Sequence, residues 1–205
     1  MEKYIWSLDI STTNVGSALW DDNGNLIELK HLSLNIDREI DVEFRDLHKA
    51  DLFSDYCQKY KSRVENDFMG EIKRVFVEAP LQNTPKNINT TALLLGFNGI
   101  ARYVLYRVFG FEPEKITVHE ARKLFCPELV KTTKTRKGEI KETLSFPKGF
   151  KSKEKKFYIW EKVAKLEPQI EWFYTRNGTP KDICYDMGDS YAVGYAGLKK
   201  MGIIQ

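Results

Sequence analysis

The sequence predicts an α/β fold: a mixed five-stranded sheet, three antiparallel meander strands then parallel strands, flanked by helices. Three observations carry this expectation. The chain up to Leu34 holds three strand-length apolar runs joined by turns too short for a crossover. Beyond it, long stretches of helical periodicity alternate with short apolar runs. The final third holds helical periodicity and no further run that reads as a strand. A strand that returns across a helix runs parallel to its neighbour, so strand direction in the sheet is mixed.

The elements follow in order. Tyr4 to Asp9 reads as a strand that ends on an acid, followed by the polar turn Ser11-Thr12-Thr13-Asn14 and a second strand from Val15 to Trp20. Asp21-Asp22-Asn23-Gly24 then turns the chain into a third strand, Leu26 to Leu34, because Asn-Gly adopts the positive φ angles of a tight hairpin. Phe44, Leu47, Phe53, Tyr56, Cys57, Tyr60, Val64 and Phe68 recur at helical spacing and predict a long amphipathic helix ending near Met69-Gly70. Arg74 to Glu78 is a short buried strand halted by Pro80. After a polar loop, Asn89 or Thr90 is expected to cap an apolar helix that runs to Phe109 and ends at Gly110. Lys115 to Val118 forms a fifth strand and His119 to Phe125 a helical turn. The basic stretch from Lys131 to Lys153 has no period and reads as a loop. Lys153 to Leu166 is a helix with Phe157, Trp160, Val163 and Ala164 on its buried face. The last helix is expected to start with Thr179 as N-cap and Pro180 at its first position. It presents Ile183, Met187, Tyr191, Tyr195 and Leu198 to the core. This is the ribonuclease-H-like order, in one domain over residues 1–205 with a basic loop insertion at about 130–153.

Bulk properties narrow the class. A chain of 205 residues with 42% hydrophobic and 30% charged residues can bury a sizeable core. No run approaches the ~18 apolar residues of a membrane helix, and no signal-peptide pattern opens the chain. Cys57, Cys126 and Cys184 are odd in number and widely spaced, which favours free thiols in a reducing, cytoplasmic compartment. Net charge is only +3, yet ten Lys/Arg against three Glu lie between Val130 and Lys156. That local surplus suits a phosphate-binding surface.

Four acids stand in positions that chemistry would use. Asp9 ends the first strand and Glu78 the fourth, and in this order those two strands are neighbours. Asp186 and Asp189 are three residues apart on the last helix and therefore share a face. That face is expected to be the polar one, opposite Ile183, Met187 and Tyr191. Converging carboxylates repel, and hard oxygen donors in such a cluster favour Mg2+ or Mn2+. A pair of ions about 3.5–4 Å apart would suit in-line displacement at phosphorus. Asp182 instead reads as a helix-terminus charge completing the Thr179 cap.

SLDISTTNVG, VFVEAP and YDMGDSYAVGYA resemble the three acidic motifs of the RuvC-type Holliday-junction resolvases, and ITVHEARKLF extends the likeness. The resemblance implies that Asp9, Glu78, Asp186 and Asp189 are metal-binding catalytic acids with about two Mg2+ or Mn2+ ions per site. It also implies a homodimer that nicks four-way DNA junctions symmetrically. The turn Ile10-Ser11-Thr12-Thr13 replaces the usual Pro-Gly-Ser, and the segment before Lys156 is longer and more basic, which points to a diverged, phage-type member. DNA contacts are then expected from Lys131, Lys134, Arg136, Lys137, Lys141, Lys148, Lys151, Lys153, Lys155 and Lys156. Gln82, Asn83, Lys86 and Asn87, in the loop after Glu78, join them. Lys155 or Lys156 stands where the family carries a lysine near its acids. Tyr103, Tyr106 and Phe109 are expected in the core or a dimer interface. Trp160, Trp172, Phe173 and Tyr174 are expected in the core, with base stacking the alternative. His119 is expected to be structural. No Gly-rich phosphate loop appears, so no nucleotide cofactor is expected. Competing readings are a nuclease of RNA–DNA hybrids, one half of an actin-like sugar or acetate kinase, and a binding-only protein of the same fold.

Overall fold

The computed structural model describes residues 1–37, 39–80, 88–134, 138–146 and 152–205, without the side chains of residues 88–90, 152 and 153. Strands β1 (Glu2–Ile10), β2 (Asn14–Asp21) and β3 (Leu26–Ser33) form the meander. Helix α1 (Arg45–Asp67), strand β4 (Gly70–Ala79), helix α2 (Ile88–Phe109), strand β5 (Glu114–Thr117) and helix α3 (Val118–Phe125) follow. A ribbon, β6 (Val130–Lys134) and β7 (Ile140–Leu144), precedes helices α4 (Ser152–Leu166) and α5 (Asp182–Lys200). The main sheet runs in the order β3-β2-β1-β4-β5. β1 is antiparallel to β2 and parallel to β4, and β4 is parallel to β5, so the mixed five-stranded sheet stands as predicted.

Side-chain alternation assigns each face of the sheet to one helical layer. Tyr4, Trp6, Leu8 and Ile10 of β1, with Val75 and Val77 of β4, are buried together with Phe53, Cys57, Tyr60 and Val64 of α1 and Phe97, Ala101 and Leu105 of α2. The intervening residues, Ile5 of β1 and Phe76 of β4, face the opposite layer of α3, α4 and α5. The same period of two sends Asp9 and Glu78 toward that second layer. Within it α5 lies close on the strands because two of the residues it turns toward them, Gly194 and Gly197, lack side chains. A Cβ at Gly194 would overlap Ser7 and Trp20, and one at Gly197 would overlap the Phe76 ring. Ser7 tightens the contact. Its hydroxyl donates to Ser190 O at 2.9 Å and accepts from Trp20 Nε1 at 3.0 Å, all fully buried.

Several expectations are corrected. The basic stretch is not irregular throughout: β6 and β7 pair over Val130↔Leu144 to Lys134↔Ile140. Most of the ribbon is exposed on both faces, so no apolar alternation betrays it. Phe44 and Leu47 are exposed, because α1 begins only at Arg45 and its first turn overhangs the core. β4 starts at Gly70, earlier than Arg74, and Val118 opens α3 behind the Thr117 cap. Asn89 and Thr90 lie inside α2, which starts at Ile88; Gly110 ends it at φ +81° as expected. On α4, Phe157 is exposed and Ile159 is buried in its stead. Thr179 does not cap α5. Its hydroxyl lies 2.6 Å from that of Thr175 and its carbonyl accepts from Thr175 N at 2.8 Å, closing a small hairpin around Asn177-Gly178. Lys181 caps the helix in extended backbone with no side-chain bond, and Asp182 is its first residue. Cys57, Cys126 and Cys184 are buried and free. No helix among the described residues is long and apolar enough to cross a membrane.

Candidate active site

Asp9, one residue from the end of β1, and Glu78, one from the end of β4, come off adjacent parallel strands at their carboxyl ends. Asp189 reaches them from α5, where it is only 4% exposed. One carboxylate oxygen of each lies within 4.8 Å of the other two, a separation that a cation can span. Asp186 stands one turn earlier on α5 and is outside this trio. Its backbone carbonyl lies directly over Gly16 of β2, where any Cβ would collide with it. That close approach fixes the height of the helix over the strands. The supposed polar face of α5 is therefore a second buried face, turned to the sheet.

Two cations hold the helical acids. Lys156 Nζ of α4 lies 3.3 Å from Asp186 Oδ1 and 3.3 Å from Asp189 Oδ2. Arg122 of α3 donates from Nη2 to Asp189 Oδ1 at 3.1 Å. Asn98, a buried polar residue of α2, donates to the Glu78 carbonyl at 3.4 Å and braces that strand end. Arg122 did not stand out in the sequence. Ala121 and Phe125 mark the inner face of α3, and nothing in the spacing says that the neighbouring long side chain folds back onto α5.

The trio is electrostatically frustrated. Burial pushes the Asp9 carboxyl up to about 8, Asp189 and Asp186 add to the shift, and Lys156 and Arg122 offset part of it. Glu78 is held well above the usual carboxylate range by burial, then by Asp9 and Asp189. Asp186 is raised by burial, with Lys156 opposing and Asp189 adding. Burial alone would lower Lys156, but Asp189, Asp9 and Asp186 outweigh it and keep the ammonium charged. Carboxylates packed this closely favour protons or a divalent cation. All donors are hard oxygens, which fits Mg2+ or Mn2+.

The expected DNA-contacting residues are scattered. Lys131, Lys134 and Lys141 are exposed on the ribbon, and Lys155 lies 5.5 Å over the Phe146 ring. Lys156 is drawn into the acid cluster itself. Arg136, Lys137, Lys148, Lys151, Gln82, Asn83, Lys86 and Asn87 lie outside the described residues, as does the side chain of Lys153. Trp160 is buried and packs edge-on against Trp172 and Tyr174, which favours core over base stacking; Tyr174 itself is exposed. Tyr103 and Tyr106 are exposed on α2 and are not core, whereas Phe109 packs on Trp6. His119 is exposed.

The chain matches no protein-family model and no curated protein. Among solved structures it is similar to Thermus thermophilus RuvC in complex with a Holliday junction substrate, at 10% identity and TM-score 0.56, covering 98% of this chain and 97% of that one. A second Thermus thermophilus RuvC structure aligns at 9% identity and TM-score 0.49, covering 97% and 96%. The Aquifex aeolicus Ppx/GppA phosphatase aligns at 11% identity and TM-score 0.41, covering 80% of this chain and 64% of that one. At this identity the first likeness establishes the fold, which is RuvC-like.

Proposed function

We propose that the protein is a metal-dependent, structure-specific endodeoxyribonuclease. It resolves four-way DNA junctions as a homodimer, by paired symmetric nicks that leave 5′-phosphate and 3′-hydroxyl ends. The observation that carries this reading is the meeting of Asp9, Glu78 and Asp189 within 4.8 Å at the carboxyl ends of two parallel strands. A RuvC-like fold around that trio supports a nuclease over other phosphate chemistry.

Asp9, Glu78 and Asp189 would hold the cation, with Asp186 beside them. When bound, one or two Mg2+ or Mn2+ ions supply Lewis acidity, lowering the pKa of water and stabilising the leaving 3′ oxygen. The chain does the rest. Arg122 fixes the rotamer of Asp189 through the 3.1 Å bond to Oδ1. Lys156 bridges Asp186 and Asp189 and would present its positive charge to an incoming phosphate. Burial and the neighbouring acids leave Asp9 holding a proton near neutrality, which it would give up on binding a cation. Lys131, exposed on β6, would hold the polyanion in place without reading sequence.

One gel tests the reading. Labelled four-way junction, linear duplex and RNA–DNA hybrid are each incubated with the protein in Mg2+ or in chelator. Symmetric nicking of the junction, only with metal, is expected. Cutting of the hybrid alone would replace the substrate assignment, and no Mg2+-dependent cutting of any substrate would overturn it.

A further inference from the structure

The ribbon has two unlike faces. The register Val130↔Leu144 to Lys134↔Ile140 puts Lys131, Thr133, Lys141 and Thr143 on one side. That side carries two ammonium groups and no carboxylate. The threonine hydroxyls lie along it, Thr133 Oγ1 donating to Lys141 O at 3.2 Å and Thr143 Oγ1 to Lys131 O at 3.4 Å. The other side carries Glu142, which is ion-paired with Lys123 of α3, so it is turned toward the body of the protein. Lys131 and Lys141 are exposed, and neither has an ion-pair partner among the described residues.

The base of the ribbon is anchored beside the acids. Ser145 N donates to Leu129 O at 2.8 Å, Leu129 is buried, and Phe146 packs edge-on against Tyr158 of α4 at 5.9 Å. The ribbon therefore springs from between the helices that carry Arg122 and Lys156, both of which reach the acids. A two-stranded ribbon is narrow enough to enter or line the major groove of B-DNA. Diagonal partners on one face are about 7–8 Å apart, a spacing at which Lys131 and Lys141 can meet neighbouring phosphates of one strand.

We infer that the Lys131–Thr133–Lys141–Thr143 face of the ribbon is a docking surface for the duplex arm next to the phosphate being cut, whereas the Glu142 face is not. This rests on the nuclease reading and assigns the arm's seat to one side of one hairpin. Lys134, on the far face, takes no part in it.

The test compares wild type, Lys131→Gln/Lys141→Gln and Lys134→Gln for junction binding in chelator over a salt titration. Nicking in Mg2+ is followed in parallel, with hydroxyl-radical footprinting of the arms. Each phosphate contact contributes a log–log salt slope of about 0.9. The double variant is expected to lose a slope of about 2, to bind roughly tenfold more weakly at moderate salt, and to lose protection on one arm. Lys134→Gln should match wild type in all three. Unchanged slope and footprint in the double variant, with wild type still cutting the junction, would overturn the ribbon inference alone. An equal loss from Lys134→Gln would also overturn it, since the effect would then be charge without sidedness. Wild type that neither binds nor cuts the junction would remove the nuclease reading and this inference together.

Discussion

Replacing Asp9 with Asn removes a buried negative charge from a trio held within 4.8 Å, and its effect on the metal-free protein has a definite sign. The Asp9 carboxyl titrates near 3.8 when unfolded and is pushed up to about 8 in the folded chain. The native state therefore keeps a proton that the unfolded state gives up. Stability falls as pH rises from about 4 and stops falling once pH passes about 8. A difference of four pH units at 1.36 kcal/mol each is on the order of 5 kcal/mol at pH 9. Asparagine has no such penalty, and it also relieves Glu78 of one repelling neighbour. In chelator at pH 9, Asp9→Asn should melt higher than wild type by on the order of 10 °C, and the gap should close toward pH 5. Mg2+ should raise the melting temperature of wild type and leave the variant nearly unmoved. The assay is a set of thermal melts at pH 5, 7 and 9, each with chelator and with Mg2+. A variant that melts below wild type at pH 9 without metal, or a gap that widens toward acid pH, would refute the electrostatic argument.

The other expectations concern the same site. Glu78→Gln and Asp189→Asn should each reduce junction nicking by at least about a thousandfold in single-turnover assays while binding holds. Asp186→Asn should cost less than either, because Asp186 lies outside the trio. Gly16→Ala must push the Asp186 backbone away; destabilisation of about 1–3 kcal/mol in urea melts is expected, with a larger proportional loss of nicking than of fold. Arg122→Leu leaves Asp189 buried without its guanidinium. A cost of about 3–5 kcal/mol is expected in the same melts, partly recovered on adding Mg2+, and no recovery would count against cation binding at Asp189.

The acids were legible because two rules locate them without coordinates. A period of two sends Asp9 and Glu78 to one face of the sheet, and a spacing of three puts Asp186 and Asp189 on one side of a helix. The sheet order followed equally from meander, helix, strand, helix, strand. What stayed hidden depends on how finished elements dock. Arg122 enters the site only because α3 packs against α5, and Lys156 turns inward rather than outward for the same reason. The ribbon escaped because strands exposed on both sides need no apolar alternation. Thr179 looked like a cap because Thr-Pro opens many helices, but its hydroxyl is already committed to Thr175.

The seat of α5 has a mechanical consequence. The helix touches the sheet where side chains are missing: at Gly16 backbone rests on the Asp186 backbone, and at Gly194 and Gly197 the helix lies directly on the Ser7, Trp20 and Phe76 side chains. At the turn that carries Asp186 the height of the helix is thus set by main-chain thickness, which hardly changes with temperature or with repacking of nearby aliphatic residues. Softening the surrounding core should lower the melting point long before it blurs the alignment of the carboxylates. The protein can then tolerate wide drift in its interior while its chemistry stays in register.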